Sequence, residues 1–206
     1  MIHWDNIKRD SRTLFYLALI GVMALLAMSP TLTETLAYDR QLVNNGSIWL
    51  LLTSHFVHLG TNHALLNLAG VGILTVLFSG EISGKYSACL VAVCALVTGL
   101  GVHLFSEQID RYYGFSGVLH GCLVGELIIT IRRFFLLHAL VIVGTVGKVL
   151  WEWLGFGNLL SSAEFIGGDI AVDAHLYGLI SGSLVGVLIL LLNSDKAAKI
   201  QSEENP

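Results

Sequence analysis

Apolar runs separated by short polar breaks dominate this chain, and their lengths predict helices that cross a membrane. Runs at 13–29, 61–79, 86–105, 115–131, 134–153 and 171–193 each approach the ~20 residues a helix needs to traverse the hydrocarbon core. They predict an all-α membrane protein of six transmembrane helices. The polar segment Met1 to Arg12, with Lys8, Arg9 and Arg12 ahead of the first run, has the outline of a signal peptide. No small-residue cleavage site follows it and further spans do, so it reads as the lead-in to an anchored first helix. No repeat, linker or second domain interrupts the pattern. Residues 1–206 form one membrane domain with a core at 48–192 and tails at 1–12 and 194–206.

Six crossings put both termini on one side, and positive charge says which. Lys8, Arg9, Arg12, Lys85, Arg132, Arg133, Lys196 and Lys199 fall on the terminal side, against Arg40 and Arg111 in the opposite loops. Lys148 lies within the fifth run. The excess marks the terminal side as cytoplasmic. In the long first outer loop, Ile48 to Thr53 is too short to span and is expected at the interface, with Trp49 at headgroup level. The outer loop from Gly155 to Asp169 has glycines, serines, two acids and no basic residue.

Glycines recur every four residues in two of the helices: Gly117, Gly121 and Gly125 in the fourth, Gly178, Gly182 and Gly186 in the sixth. Membrane helices have little hydrophobic drive to associate, so such small-residue seams bring backbones together. The seams predict that the fourth and sixth helices pack closely, bringing Ser116 and His175 within reach of each other.

Composition agrees with this picture and removes other classes. The chain is 54% hydrophobic and only 13% charged, with a mean hydropathy of +0.74, where soluble domains carry about 25% charge. Net charge is −4 and no basic patch with interleaved aromatics appears, which argues against a nucleic-acid partner. Cys89, Cys94 and Cys122 sit in apolar segments without the paired spacing of a zinc site. They read as small buried hydrophobes, and neither metal nor cofactor is expected.

Polar groups at membrane depth are costly, so each is a functional candidate. Ser116 begins the fourth helix inside Gly114-Phe115-Ser116-Gly117. His175 sits near the outer end of the sixth, and His63 and Asn67 near the outer start of the second. All four fall at one depth, in the outer half of the bilayer. An imidazole at His175 can take the Ser116 proton and pass it to a leaving amine. Gly114 and Gly117 allow a tight turn and close approach of a substrate. His63 and Asn67, four apart on one helix face, can join the Ser116 amide in binding an oxyanion. Asp173 lies two residues from His175 and faces elsewhere, so a Ser–His dyad is expected. Taken singly, each residue has a plainer account: small-residue packing for Gly-x-Ser-Gly, helix–helix hydrogen bonding for His175, a polar clamp for His63 with Asn67. Their common depth on three helices favours catalysis.

Three blocks, His55-Phe56-Val57-His58-x4-His63-x3-Asn67, Gly114-x-Ser116-Gly117 and Ala174-His175-x2-Gly178-x3-Gly182, resemble the signatures of the rhomboid intramembrane serine proteases. The resemblance covers residues 48–192. It implies Ser116 as nucleophile, His175 as base, and His63 with Asn67 at the oxyanion site of a six-helix rhomboid bundle. Many rhomboids carry a tyrosine one turn after the serine, and here that position is His120. The run Gly114-Phe115-Ser116-Gly117-Val118-Leu119-His120-Gly121 is similar instead to the rhombosortase branch, as is Lys148-Val149-Leu150-Trp151-Glu152. That branch comprises short bacterial rhomboids paired with exported proteins bearing a glycine-rich, membrane-spanning, basic-ended C-terminal tail. It implies a multi-pass protein of the bacterial inner membrane, its site facing the periplasm and its partners the lipid bilayer and membrane-anchored substrates. Whether His120 stacks on His175 or competes with it as base stays open at this level. Lys148 and Glu152, also explained as an i,i+4 ion pair, need no catalytic role.

Two other readings compete. A membrane zinc hydrolase would gather His55, His58, His63, His120 and His175, although His55-x2-His58 stacks poorly on one helix; cleavage resistant to chelators but lost in Ser116→Ala separates the two. A rhomboid-like binding protein without activity would leave Ser116 unreactive toward a fluorophosphonate. A transporter fits less well, with six spans and no matched pair of interrupted helices.

Overall fold

A computed structural model describes residues 11–156 and 163–204, with side chains as far as Asn193. Lys8, Arg9, residues 157–162 of the loop after Gly155, and the side chains of Lys196 and Lys199 lie outside that set.

Helices occupy all six expected places. They are α1 (Ser11–Ala27), α5 (Thr61–Leu77), α6 (Gly84–Phe105), α7 (Ser116–Ile129), α8 (Phe135–Trp151, with a π turn Glu152–Phe156) and α10 (Val172–Glu204). Shorter elements belong to the loops: α2 (Pro30–Leu36), α3 (Arg40–Asn44), α4 (Leu50–Thr53) with a 3₁₀ turn at Ser54–Phe56, and α9 (Ala163–Ile166). Among the described residues, three segments, 84–105, 135–156 and 172–193, are long and apolar enough to cross a membrane by themselves. The count reaches five if α1 with α2 (bent 108°) and Leu50–Phe56 with α5 (bent 88°) are each taken as one broken span. The 14 residues of α7 reach only ~21 Å at 1.5 Å per residue, short of a ~30 Å core. Protein encloses that helix: α5, α6, α8 and α10 pack around it, and none of its residues is exposed. The last helix continues to Glu204, past the expected end at 193. No glycine or proline separates Asn193 from Glu204, and the alanine, lysine, glutamine and glutamate there favour helix.

The most extensive helix contact is α7 against α10, along the two glycine seams. A methyl on Gly117 would sit 2.6 Å from the Ala174 carbonyl oxygen, and one on Gly186 would sit 2.8 Å from that of Gly125. Methyls on Gly178 and Gly182 would run into the carbonyls of Gly117 and Gly121. Backbone meets backbone, and neither side can rotate away. Gly178→Val is therefore expected to destabilise the bundle at or above the top of the ~1–3 kcal/mol overpacking range. Thermal unfolding in detergent reads this, and an unchanged midpoint would show that the seam is not the packing contact.

The outer loops are tied to the site. A two-residue antiparallel ribbon pairs β1 (Tyr38–Asp39) with β2 (Arg111–Tyr112), Tyr38 opposite Tyr112 and Asp39 opposite Arg111. Arg40 then fans its guanidinium over the end of α6: Nη1 donates to His103 O (2.7 Å), Nη2 to Val102 O (2.9 Å) and Ser106 O (2.7 Å), and Nε to Ile109 O (3.2 Å). The Val102 and His103 carbonyls belong to the last turn of α6 and carry the negative end of its dipole, so a cation suits them. The capped end of α6 feeds straight into the segment leading to Ser116. Trp49 is exposed beside α4, compatible with the interfacial place expected for it.

Deep between the helices lies a polar cluster outside the sequence expectations. Arg12 and Glu126 are both fully buried and form an ion pair at 2.6 Å, so Arg12 is enclosed by the bundle rather than presented to the cytoplasm.

Candidate active site

Ser116 is the first residue of α7, reached through a loop held at several points. Gly114 has φ +109, a conformation side chains rarely adopt, and a methyl there would also sit 2.6 Å from the His63 ring. Glycine is required twice over. The Gly114 N–H donates to Ser54 O (3.0 Å), and its carbonyl accepts from the Tyr112 hydroxyl (2.7 Å). Gly117 serves a different end from the substrate approach expected of it: it faces the Ala174 carbonyl and Thr98 Cγ2 in the helix seam.

That seam sets the central distance. Ser116 Oγ lies 2.9 Å from His175 Nε2. The His175 side chain is 6% exposed, while Ser116 is partly open. A hollow of about 160 Å³ opens on the pair, lined by His63, Asn67, Ser116, His120, Lys148 and His175 among others. A second hollow, toward the outer loops, shares His63 and Ser116 and adds Tyr112, Tyr113 and Asp169. Burial raises the Tyr113 phenol above its ordinary pKa, with Arg111 partly opposing, so it stays a neutral hydrogen-bonding group. Ile166 and Ile170 line both hollows. Their segment is tied to the start of α5 by Asn62 Nδ2 donating to Phe165 O (2.9 Å).

His63 and Asn67 meet this space from one face of α5, as their spacing predicts. Asn67 Nδ2 donates one hydrogen to His63 O (2.9 Å), which leaves its second N–H for another acceptor. His63 Nδ1 has no protein partner, nor has either ring nitrogen of the neighbouring His58. The first N–H groups of α7 have no acceptor within their own helix. His63, Asn67 and the start of α7 thus line one hollow beside Ser116.

His120 stacks on His175, ring centroids 4.3 Å apart and planes 25° from parallel. Its Nδ1 is 2.8 Å from Ser116 O, and a carbonyl can only accept, so that nitrogen carries the proton. Its Nε2 is left as an acceptor facing Lys148 Nζ at 3.3 Å. Both ring nitrogens are engaged away from the Ser116 hydroxyl. Stacking, not competition, is what this geometry provides.

The acid near the imidazole went unrecognised in the sequence. Glu152 Oε2 lies 3.3 Å from His175 Nδ1, and Lys148 Nζ lies 2.9 Å from the same carboxylate. The i,i+4 pair is present as its spacing implied. What the spacing did not convey is that the π turn ending α8 aims the acid at another helix. Asp173, the acid considered from sequence, instead accepts from Ser106 Oγ and Gln108 Nε2, both at 2.6 Å. The five histidines do not gather as a zinc site requires. His55 Nε2 donates to Ala95 O (2.8 Å), and among the described residues no group of three or more His, Cys, Asp or Glu is placed to hold a metal ion.

Residues 45–192 match the family model described as the rhomboid domain. Over 148 residues, 71% of this chain and 69% of the relative, the chain is 26% identical to a Bacillus subtilis (strain 168) protein whose name reads "Putative rhomboid protease YdcA".

Proposed function

Because the chain belongs to the rhomboid family of intramembrane serine proteases, we propose that it cleaves a transmembrane segment near its outer end with Ser116 as nucleophile and His175 as base. The observation that carries this is the 2.9 Å approach of Ser116 Oγ to His175 Nε2 at the floor of a donor-lined hollow. As Ser116 Oγ bonds to the scissile carbonyl carbon, its proton passes to His175 Nε2 and the carbonyl π electrons move to oxygen. The first-turn N–H groups of α7, with His63 and Asn67, stabilise that oxyanion. Collapse breaks the C–N bond and the amine leaves with the proton from His175. Water then attacks the acyl-enzyme, giving its proton to His175, and Ser116 is regenerated as the acid departs. The shortness of α7 fits this chemistry, because a 14-residue helix is shorter than the ~30 Å hydrocarbon core and can end below the outer surface.

The client is a membrane-anchored protein, and the His120 and Lys148–Glu152 features favour the rhombosortase class: an exported protein with a glycine-rich, basic-ended C-terminal tail. Glycine weakens a helix by ~1 kcal/mol per residue relative to alanine, which eases unwinding into the extended form a serine protease needs. The protein is then a multi-pass inner-membrane enzyme with cytoplasmic termini and a periplasmic site. Co-expression with such a substrate tests this. A single new C-terminus near the outer end of the tail, read by mass spectrometry, is expected. In the same assay Asn67→Ala should retain measurable cleavage, reduced by about 10²–10³-fold, the cost of one oxyanion donor. Wild-type turnover in Asn67→Ala would remove that residue from the oxyanion site.

A further inference from the structure

We propose that Glu152 is a positioning residue of this centre: it holds His175 in the tautomer that accepts the Ser116 proton, making a Ser–His–Glu relay rather than a dyad. The inference rests on the protease reading above and adds a third member to it.

A carboxylate has no proton to give, so the 3.3 Å contact between Glu152 Oε2 and His175 Nδ1 places the hydrogen on Nδ1. The Nε2 lone pair is then the one facing Ser116 Oγ, 2.9 Å away. Without the acid the imidazole is free to carry its proton on Nε2, where it cannot act as a base toward the hydroxyl. When the proton moves, a positive imidazolium forms on a side chain only 6% exposed, opposite a carboxylate 7% exposed. Little water reaches either group, so the carboxylate supplies the counter-charge that solvent would otherwise provide.

Lys148 explains how an acid can wait there. A lone carboxylate among Trp151, Trp153 and Leu154 at membrane depth would be costly. One turn earlier, Lys148 Nζ lies 2.9 Å from it, so the pair is neutral overall while the lysine lines the hollow beside Ser116. The same ammonium faces His120 Nε2, whose ring lies flat on His175. Two side chains one turn apart on α8 thus fix the base from two sides, its Nδ1 edge and its stacked face. Groups facing His175 are Ser116 and His120 from α7 and Glu152 from the end of α8.

Purified protein, a tailed membrane substrate and a fluorophosphonate probe decide the matter. Glu152→Gln keeps the size and removes the charge. Its kcat and its rate of Ser116 labelling should both fall by about 10²–10⁴-fold, the scale set by mis-setting the tautomer of a catalytic histidine, with KM within about threefold of wild type. Glu152→Asp, which keeps the charge, should recover at least about tenfold of that loss. Lys148→Met should lose less than Glu152→Gln, because the acid can still reach His175. A merely structural role for the ion pair would make Lys148→Met and Glu152→Gln equally damaging and would leave Glu152→Asp unrescued; that outcome overturns the proposal. So does a Glu152→Gln variant with wild-type kcat. If Ser116→Ala is dead while Glu152→Gln is fully active, the relay fails and the protease stands. If Ser116 is never labelled and Ser116→Ala still cleaves, the protease reading itself has failed.

Discussion

Ser116→Ala and His175→Ala are each expected to reduce cleavage by about 10⁴–10⁶-fold, with the double variant falling no further than either single one. The two groups act as a unit: an alkoxide equivalent is not generated without the imidazole, and the imidazole has nothing to activate without the hydroxyl. Knocking out one member of such a unit therefore costs about as much as knocking out both. The 2.9 Å contact is what makes them a unit. Both variants should fold, because neither side chain belongs to the glycine seam that joins α7 to α10. Fluorophosphonate labelling of wild type but not of Ser116→Ala, with equal amounts of each in the membrane, completes the measurement. Additive losses in the double variant would mean that the serine and histidine serve separate steps.

Glu126→Ala is expected to produce the largest loss of stability, about 3–5 kcal/mol, the range for breaking a buried ion pair from one side. Neither Arg12 nor Glu126 is exposed at all. The carboxylate accepts from Arg12 Nη2 (2.6 Å), Arg12 Nε (3.3 Å), the Tyr16 hydroxyl (2.8 Å) and Ser87 Oγ (2.8 Å). The guanidinium also donates to Leu74 O (2.7 Å) and Thr75 O (3.1 Å). Four helices, α1, α5, α6 and α7, meet at this cluster. Removing the acid takes away the carboxylate that faces the buried guanidinium and leaves two hydroxyls without their acceptor. A thermal unfolding midpoint lowered by many degrees in detergent is expected. Replacing the pair by Arg12→Met with Glu126→Leu should recover most of the loss, since apolar replacement of a buried pair is often neutral. A Glu126→Ala protein that melts with wild type would show the cluster to be dispensable.

The cluster also shows where linear reading stops. Arg12 follows Lys8 and Arg9 within four residues, and the linear pattern groups it with them as a charge of the cytoplasmic side. Its partner is 114 residues away, and Glu126 sits in a helix whose other members gave no reason to expect a cation opposite. A lone acid inside an apolar run was the available signal. Glu152 eluded sequence reasoning for a related reason: its local partner Lys148 satisfied it, so nothing in the spacing demanded a second contact. Along the helix of His175 itself the nearest acid is Asp173, which Ser106 and Gln108 of the loop after α6 engage instead.

Ser116 and His175 were legible because their cost in lipid singles them out and because two glycine ladders of equal period told which helices must touch. His63 and Asn67 were legible from the four-residue spacing of one helix face. Helix positions followed from apolar run length, which depends only on bilayer thickness and the rise per residue.

The chain alone thus determined its membrane class, the places of its helices, the family to which it belongs and the four candidate side chains, since each of these is carried by short local patterns in the sequence. Tertiary structure decided the rest: that α7 is enclosed by protein and shorter than a full span, that Arg12 is buried against Glu126, that His120 stacks with both nitrogens occupied, and that Glu152 turns toward His175. Those outcomes are contacts between distant segments, set by how backbones approach and which buried charge finds an opposite one, and no local pattern encodes them.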